Sequence, residues 1–281
     1  RPIFPPRAVR HPRSLSLPCA PHMAELSITF LGTGTSQGVP MVGCDCPVCT
    51  SKDPRDTRMR SSVYVQTPEC SWVIDTGPDF RAQCLRFGIR QLDAVVYTHP
   101  HTDHIMGFDD LRPFCPGGAS LPIFASPDTM SHLKRVFEFA FNGLNRFPGY
   151  IHPVPYEVEG PFLLGETTLT PLPVPHGRTI VSGYLFTRRG ERLAAYLSDC
   201  KEVPPAIVEQ IRGVRHLIVD ALRHKPHPTH MSVEEALNVA EQVAPERTWF
   251  THLCHDILHS ELEPKLPAGV RIAYDGLRID A

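Results

Sequence analysis

The sequence lacks several features that would place it in common classes of protein. It has no run of about 18 apolar residues, which excludes a membrane-spanning helix. Its 28 basic and 30 acidic residues give a net charge of −2, so no overall positive charge indicates nucleic-acid binding. No short-period repeat occurs either. Apolar residues nevertheless make up 42% of the 281 residues, which is enough for a large folded core.

The first 22 residues do not match the pattern of a secretory signal. Residues 1–22 contain four arginines, six prolines and no acidic residue, but no continuous apolar stretch. We interpret them as a disordered leader or an artefact, with Met23 as the natural start, and expect one domain over residues 23–281. The nine cysteines are odd in number and unevenly spaced, unlike a secreted disulfide framework, so we expect a cytoplasmic location.

Segments with strand character outnumber those with helical character. Stretches rich in valine and isoleucine recur along the chain, as at residues 62–66 and 71–74, and helices are predicted at residues 204–212 and 232–243. Ser232 and Glu235 have the spacing of a capping box at the start of the second helix. Because no linker divides the chain, this alternation predicts two sheets packed face to face with helices outside.

The most distinctive motif is THPHTDH at residues 98–104. It follows a short buried strand and offers four ligands from one loop: His99, His101, Asp103 and His104. Imidazole suits zinc, manganese or iron, and a carboxylate adds a hard oxygen ligand. The motif therefore predicts a site for two adjacent cations.

Three further candidate ligands follow later strands. His176 comes after LTPLPVP, Asp199 after LAAYLS and His252 after RTWFT. A single histidine or aspartate at a strand end is usually a capping or surface residue. Three of them, in order after the histidine motif, favour a shared metal site.

A second cluster combines three cysteines within six residues, Cys44, Cys46 and Cys49. Thiolates at this spacing can share one zinc ion, but structural zinc sites have four ligands. The THLCHD segment offers His255 as the fourth ligand, and Cys254 is the alternative. The cysteine loop is rich in glycine and proline and has no apolar periodicity, which argues against a packing role.

With these motifs the chain resembles the metallo-β-lactamase superfamily over about residues 26–280. The resemblance implies an α/β fold of the αββα sandwich type, in which helices flank two mixed sheets, with a dinuclear metal site. It implies two ligand sets: His99, His101 and His176 for one ion, and Asp103, His104 and His252 for the other. Asp199 would bridge the two ions, and Asp75 in VIDTGPD would support the metal loop from behind.

The cysteine triad and the segment LGTGTSQGVP also resemble the PhnP-type cyclic phosphodiesterases. This resemblance implies a structural zinc bound by Cys44, Cys46, Cys49 and His255, beside two catalytic divalent metals that are zinc or manganese. It also implies a phosphoric diester hydrolase that acts on a small cyclic phosphodiester, such as a ribosyl 1,2-cyclic phosphate. A metal-bridging hydroxide would attack phosphorus in such an enzyme.

His230 is the expected general acid of this reaction. It lies in PHPTHMS, 22 residues before His252, as the catalytic histidine of that family does. A general acid is needed because the departing alkoxide must be protonated. The expected partner is the small phosphodiester substrate, without a membrane or nucleic acid, and a homodimer is compatible with the family.

Alternative functions share the same scaffold. A tRNA 3′-processing nuclease would have FLGTG and the histidine motif, but it usually carries an extended arm for tRNA that this sequence lacks. A β-lactamase would have no role for the cysteine triad, whereas a thioester hydrolase or quinone-like oxidoreductase could use the same fold. A zinc-stapled binding module, which is not an enzyme, would need neither His230 nor a bridging Asp199.

Overall fold

The structure, a computed structural model, describes residues 25–144, 147 and 149–281. The interpretation of residues 1–22 as a leader and of Met23 as the natural start lies outside the described residues. No helix in the described part of the chain has the length and apolar character needed to cross a membrane.

Within these residues, fourteen strands form two seven-stranded sheets. The strands are β1 (Ser27–Gly32), β2 (Ser62–Gln66), β3 (Ser71–Ile74), β4 (Ala94–Val96), β5 (Leu121–Ala125), β6 (Pro153–Glu157), β7 (Phe162–Leu164), β8 (Thr167–His176), β9 (Thr179–Arg188), β10 (Glu191–Leu197), β11 (His216–Asp220), β12 (Arg247–Thr251), β13 (Val270–Ile272) and β14 (Arg278–Asp280). The first sheet has the order β14-β1-β2-β3-β4-β5-β6, and the second has the order β13-β12-β11-β10-β9-β8-β7. Both are mixed, since β1 and β2 are antiparallel while β3 and β4 are parallel, and likewise β8 and β9 are antiparallel while β10 and β11 are parallel.

The helices lie in the connections between strands. They are α1 (Phe80–Phe87), α2 (Thr102–Ile105), α3 (Pro127–Val136), α4 (Glu138–Phe141), α5 (Pro205–Ile211), α6 (Val233–Val243) and α7 (His259–Leu262). The capping box at the start of α6 is confirmed, because the Ser232 hydroxyl accepts from the Glu235 N–H and the Glu235 carboxylate accepts from the Ser232 N–H.

Apolar side chains fill three layers, which confirms the αββα sandwich. Between the sheets, Trp72 packs edge-on against Phe186 with ring centroids 6.1 Å apart. On the outer face of the first sheet, Phe80 of α1 joins a cluster that includes side chains of α3. Ile207 of α5 joins a third cluster with side chains of α6 on the outer face of the second sheet. Each sheet is therefore covered by helices on one face and by the other sheet on its second face.

Strand β6 lies where the sequence pattern predicts no strand. Its residues Pro153 and Pro155 cannot donate a backbone hydrogen bond, and proline is depleted from strand interiors. The strand pairs in parallel with β5 and forms the edge of the first sheet. At an edge the missing donors face away from the sheet, so the prolines are tolerated there.

Strands from both sheets end at one edge of the sandwich. Asp75 follows β3, the 98–104 loop follows β4, His176 ends β8, Asp199 follows β10 and His252 follows β12. Because β10, β11 and β12 are parallel neighbours, their carboxyl ends meet at the same edge. This edge therefore collects the predicted ligands into one place.

Candidate metal centre and active site

Asp75 holds the histidine loop in position. Its buried carboxylate accepts hydrogen bonds from the N–H of Thr98 at 2.8 Å and from the Thr98 hydroxyl at 2.7 Å. Its second oxygen also lies 2.7 Å from His104 Nδ1. This bond orients the imidazole so that Nε2 faces the other candidate ligands, which is the supporting role expected for Asp75.

Gly77 allows the loop to pack against the segment that follows Asp75. A Cβ atom at this position would lie 2.0 Å from the carbonyl oxygen of Asp103. The N–H of Thr76 donates to the carbonyl of His104 at 2.8 Å, and this hydrogen bond joins the same two segments. A side chain at Gly77 would therefore displace Asp103 and His104 from the site.

The first group of candidate ligands contains three histidines, His99, His101 and His176, whose ligand atoms lie within 4.8 Å of one another. Nε2 of His99 is 2.9 Å from Nδ1 of His101. Nδ1 of His176 donates to the carbonyl of Thr229 at 2.9 Å, which leaves its Nε2 free. The structure thus brings together the first set predicted from sequence.

The second group contains Asp103, His104, Asp199 and His252, again with ligand atoms within 4.8 Å of one another. The two oxygens of Asp199 point in different directions. Oδ1 lies 3.4 Å from His104 Nε2, and Oδ2 lies 3.2 Å from His252 Nε2. Asp199 also falls within 4.8 Å of the ligand atoms of His176 and His230, so it lies between the two groups.

The chemistry of this second group fits divalent cations. Buried atoms without a hydrogen-bond partner converge there, namely His104 Nε2, Asp199 Oδ1 and His252 Nε2. Burial would raise the pKa of Asp199, but His252 and His104 hold it well below its ordinary value. Unpaired buried acceptors and an ionised carboxylate are costly without a partner, and nitrogen and oxygen ligands suit zinc or manganese.

The cysteine cluster has the composition of a structural zinc site. Nδ1 of His255 lies 3.3, 3.5 and 3.8 Å from the sulfur atoms of Cys44, Cys46 and Cys49. The N–H of Cys49 donates to Cys46 and lowers the pKa of the Cys46 thiol to about 6. Cys254, the alternative fourth ligand, lies outside this group, and its sulfur accepts from the Asp256 N–H. Three sulfurs and one imidazole match a closed tetrahedral site.

His230 lies beside the dinuclear ligands and is held by Asp220. Its Nδ1 is 2.6 Å from Asp220 Oδ2, which also accepts from the Cys200 N–H at 3.2 Å. Burial lowers the pKa of His230 and raises that of Asp220. Sequence reasoning missed Asp220, although it ends parallel strand β11 just as Asp199 and His252 follow the ends of β10 and β12. Its position at the end of a strand, at the edge shared with Asp199 and His252, was the signal that could have identified Asp220.

A cavity of about 400 Å³, here called the active-site cavity, is lined by members of both ligand groups and by His230. Its lining includes His101, Asp103, His176, Asp199, His230 and His252. A smaller groove of about 230 Å³ shares Ser36, His230 and His252 with this cavity and extends to His255. His230 therefore stands between the space at the ligands and a second space beside the cysteine cluster.

Comparison with known families gives one domain match. The model of the beta-lactamase superfamily domain matches residues 72–253, which include Asp75, the THPHTDH loop and His252. The matched region thus begins within β3 and ends one residue after His252.

The chain is also similar to individual proteins and solved structures. A Porphyromonas gingivalis protein named octanoyltransferase is 36% identical over 253 residues, which is 88% of this chain and 50% of that protein. The chain thus spans about half the length of that relative. A structure described as a new diphosphatase from the PhnP family is 44% identical, with a TM-score of 0.84 over 91% of this chain and 97% of that one. Zn²⁺-bound PqqB from Methylobacterium extorquens is 19% identical, with a TM-score of 0.75 over 91% of this chain and all of that one.

Proposed function

The chain belongs to the beta-lactamase superfamily, and from this premise we propose that it is a metal-dependent hydrolase that acts on a small cyclic phosphodiester. The resemblance to the superfamily and to its PhnP branch is confirmed by the domain match and by the 44% identity to a PhnP-family structure. That structure is described as a diphosphatase, which supports a phosphoric ester or anhydride as the substrate class.

The observation that carries the proposal is the position of His230. Its Nδ1 is bound to Asp220, so Nε2 is the nitrogen available to a substrate in the active-site cavity. Expulsion of an alkoxide from phosphorus needs a proton donor, whereas a metal-stabilised binding module needs none. A histidine oriented by a buried carboxylate beside the ligand groups supports hydrolysis.

Different residues of the chain bind the metals, orient the ligands and donate the proton. We assign one metal to His99, His101 and His176 and the other to Asp103, His104 and His252, with Asp199 shared between them. Bound there, divalent metals would supply Lewis acidity toward the phosphoryl oxygen and lower the pKa of water. Asp75 orients His104, Asp220 orients His230, and His230 Nε2 carries the proton that the leaving oxygen receives.

A panel of substrates tests this proposal. The purified chain, loaded with zinc or manganese, is assayed on a five-membered cyclic phosphate, a linear phosphodiester, a precursor tRNA and a thioester. We expect turnover of the cyclic phosphate that EDTA removes and added metal restores. Turnover of the thioester or the tRNA alone would assign a different reaction to the same site. No turnover of any substrate by a fully metallated chain would favour the binding module.

Replacing Asp220 with asparagine tests how His230 is positioned. An amide cannot stabilise a protonated imidazole, so we expect kcat to fall by about 10- to 100-fold, the equivalent of one charge-assisted hydrogen bond, with little change in KM. In a His230→Ala background the same substitution should have no further effect on kcat. An equal loss in both backgrounds would show that Asp220 acts on the fold rather than through His230.

A further inference from the structure

Arg58 is a fully buried arginine close to the cysteine cluster. Its side chain is 0% exposed, and Nη2 lies 3.0 Å from Oδ1 of Asp56, whose side chain is 1% exposed. Burial lowers the pKa of Arg58, which reflects the cost of removing its charge from water. A buried ion pair seldom adds stability over apolar packing. The role of the Arg58–Asp56 pair is therefore sought in the groups that it contacts.

The guanidinium of Arg58 binds the segment that carries His255. Nη1 donates to the carbonyl of Cys254 at 3.0 Å, and Nη2 donates to the carbonyl of Ile257 at 2.7 Å. These carbonyls lie on either side of His255 in the sequence. One planar side chain therefore fixes both flanks of the fourth candidate zinc ligand.

Asp56 connects the same pair to the cysteine loop. Its Oδ2 accepts from the hydroxyl of Ser51 at 2.7 Å, two residues after Cys49. Its Oδ1 accepts from the N–H of His259 at 2.9 Å, beyond His255. The ion pair thus joins the two segments that supply the cysteine cluster.

The segment fixed by Arg58 begins at a ligand of the dinuclear site. His252 has φ of +56°, a left-handed conformation that is uncommon for a residue other than glycine. Neither of its ring nitrogens has a hydrogen-bond partner. The backbone that follows contributes to the placement of His252, because the N–H of Leu253 donates to the carbonyl of Thr33 and the N–H of Cys254 donates to the carbonyl of Leu222.

We propose that the Arg58–Asp56 pair is a positioning element that couples the cysteine cluster to His252, so that the metal affinity of the Asp103–His104–His252 set depends on both. The coupling runs through residues 252–257, which contain His252 at one end and the acceptors of Arg58 at the other. This inference rests on the ligand assignment in the proposed function. It adds a dependence of one catalytic metal site on a cluster that supplies none of its ligands.

Arg58→Lys is the primary test. Lysine keeps the charge but cannot donate to two separate carbonyls with a planar fork. Zinc bound by the full chain is measured over a range of free zinc concentrations set by chelator buffers, together with Tm. We expect one of the two His/Asp zinc ions to bind about 10- to 100-fold more weakly, the effect of disturbing the support of a ligand.

Arg188→Lys is the matched control. The Arg188 side chain is also buried, at 1% exposed, and it pairs with Glu69 at 2.6 Å. It lies opposite Thr167, at the end of the β8–β9 pair remote from His176. This substitution should lower Tm, because lysine cannot reproduce the two hydrogen bonds from Arg188 to the Glu69 carboxylate, while leaving every zinc affinity unchanged.

Two further variants identify which zinc ion is weakened and keep the proposal testable if Arg58→Lys does not fold. In an Asp103→Ala background, Arg58→Lys should not weaken the remaining His/Asp zinc ion. Cys46→Ser leaves the ion pair in place, so it serves even if Arg58→Lys does not fold, and it should weaken the same zinc ion.

Three results would overturn the coupling: wild-type zinc affinities in Arg58→Lys, equal losses in both lysine variants, or an unchanged His/Asp affinity in Cys46→Ser. A wild-type chain that binds no zinc through the His/Asp ligands would overturn the dinuclear assignment itself, and the coupling with it. Failure of the coupling alone would leave two His/Asp zinc ions bound in the wild type.

Discussion

Asp199→Ala is expected to abolish phosphodiester hydrolysis and to release both metals of the His/Asp site. Asp199 is buried, and its two oxygens lie 3.4 Å from His104 Nε2 and 3.2 Å from His252 Nε2. It is also within 4.8 Å of the ligand atoms of His176. Its removal takes an anionic ligand from both groups, so the effect exceeds that of losing a ligand from one set.

Metal content and activity together measure the Asp199 effect. The variant should retain about one zinc ion per chain, the one bound by the cysteine cluster, against about three in the wild type. Asp109→Ala is a suitable control because Asp109 is half exposed, pairs with Arg112 and belongs to neither ligand group. Wild-type activity in Asp199→Ala would contradict the assignment of the shared ligand.

His230→Ala is expected to lower kcat for a cyclic alkyl phosphate by about 10²- to 10⁴-fold, the usual contribution of a general acid. The zinc content should not change, because the His/Asp ligand sets are complete without His230. The reason for the loss is the leaving group, since an alkoxide departs slowly unless it is protonated. The imidazole held by Asp220 at 2.6 Å is the donor placed to do this.

The leaving group provides the decisive measurement for His230. A p-nitrophenyl diester releases a stable phenolate that needs no proton, so His230→Ala should retain far more activity on it than on the alkyl ester. His224→Ala is the matched control, because His224 is an exposed histidine in the same loop. Equal losses on both esters would indicate that His230 binds a metal or supports the fold and does not donate a proton.

Much of the site was predictable because metal ligands are specific residue types at strand ends. The THPHTDH loop and the cysteine triad could be recognised without knowing the fold, since their ligands are close in sequence. The layered αββα architecture also followed from alternating strands and amphipathic helices. Strand β6 was not predictable in this way, because its prolines contradict strand propensity until its edge position is known.

Contacts between distant segments could be identified only from the folded chain. Asp220 has no sequence motif, and its role depends on the 2.6 Å contact with His230 across ten residues. The choice of His255 over Cys254 likewise depended on which side chain turns toward the sulfur atoms.

By itself, the sequence determined the residue types of the candidate ligands, the motifs at the ends of strands and the family. Only the tertiary structure decided which polar side chains orient the others. Arg58 illustrates the reason: it reaches carbonyls 196 and 199 residues away along the chain, a contact that no local pattern encodes. Side-chain chemistry is a property of single residues, whereas orientation arises from packing between segments that are remote in sequence.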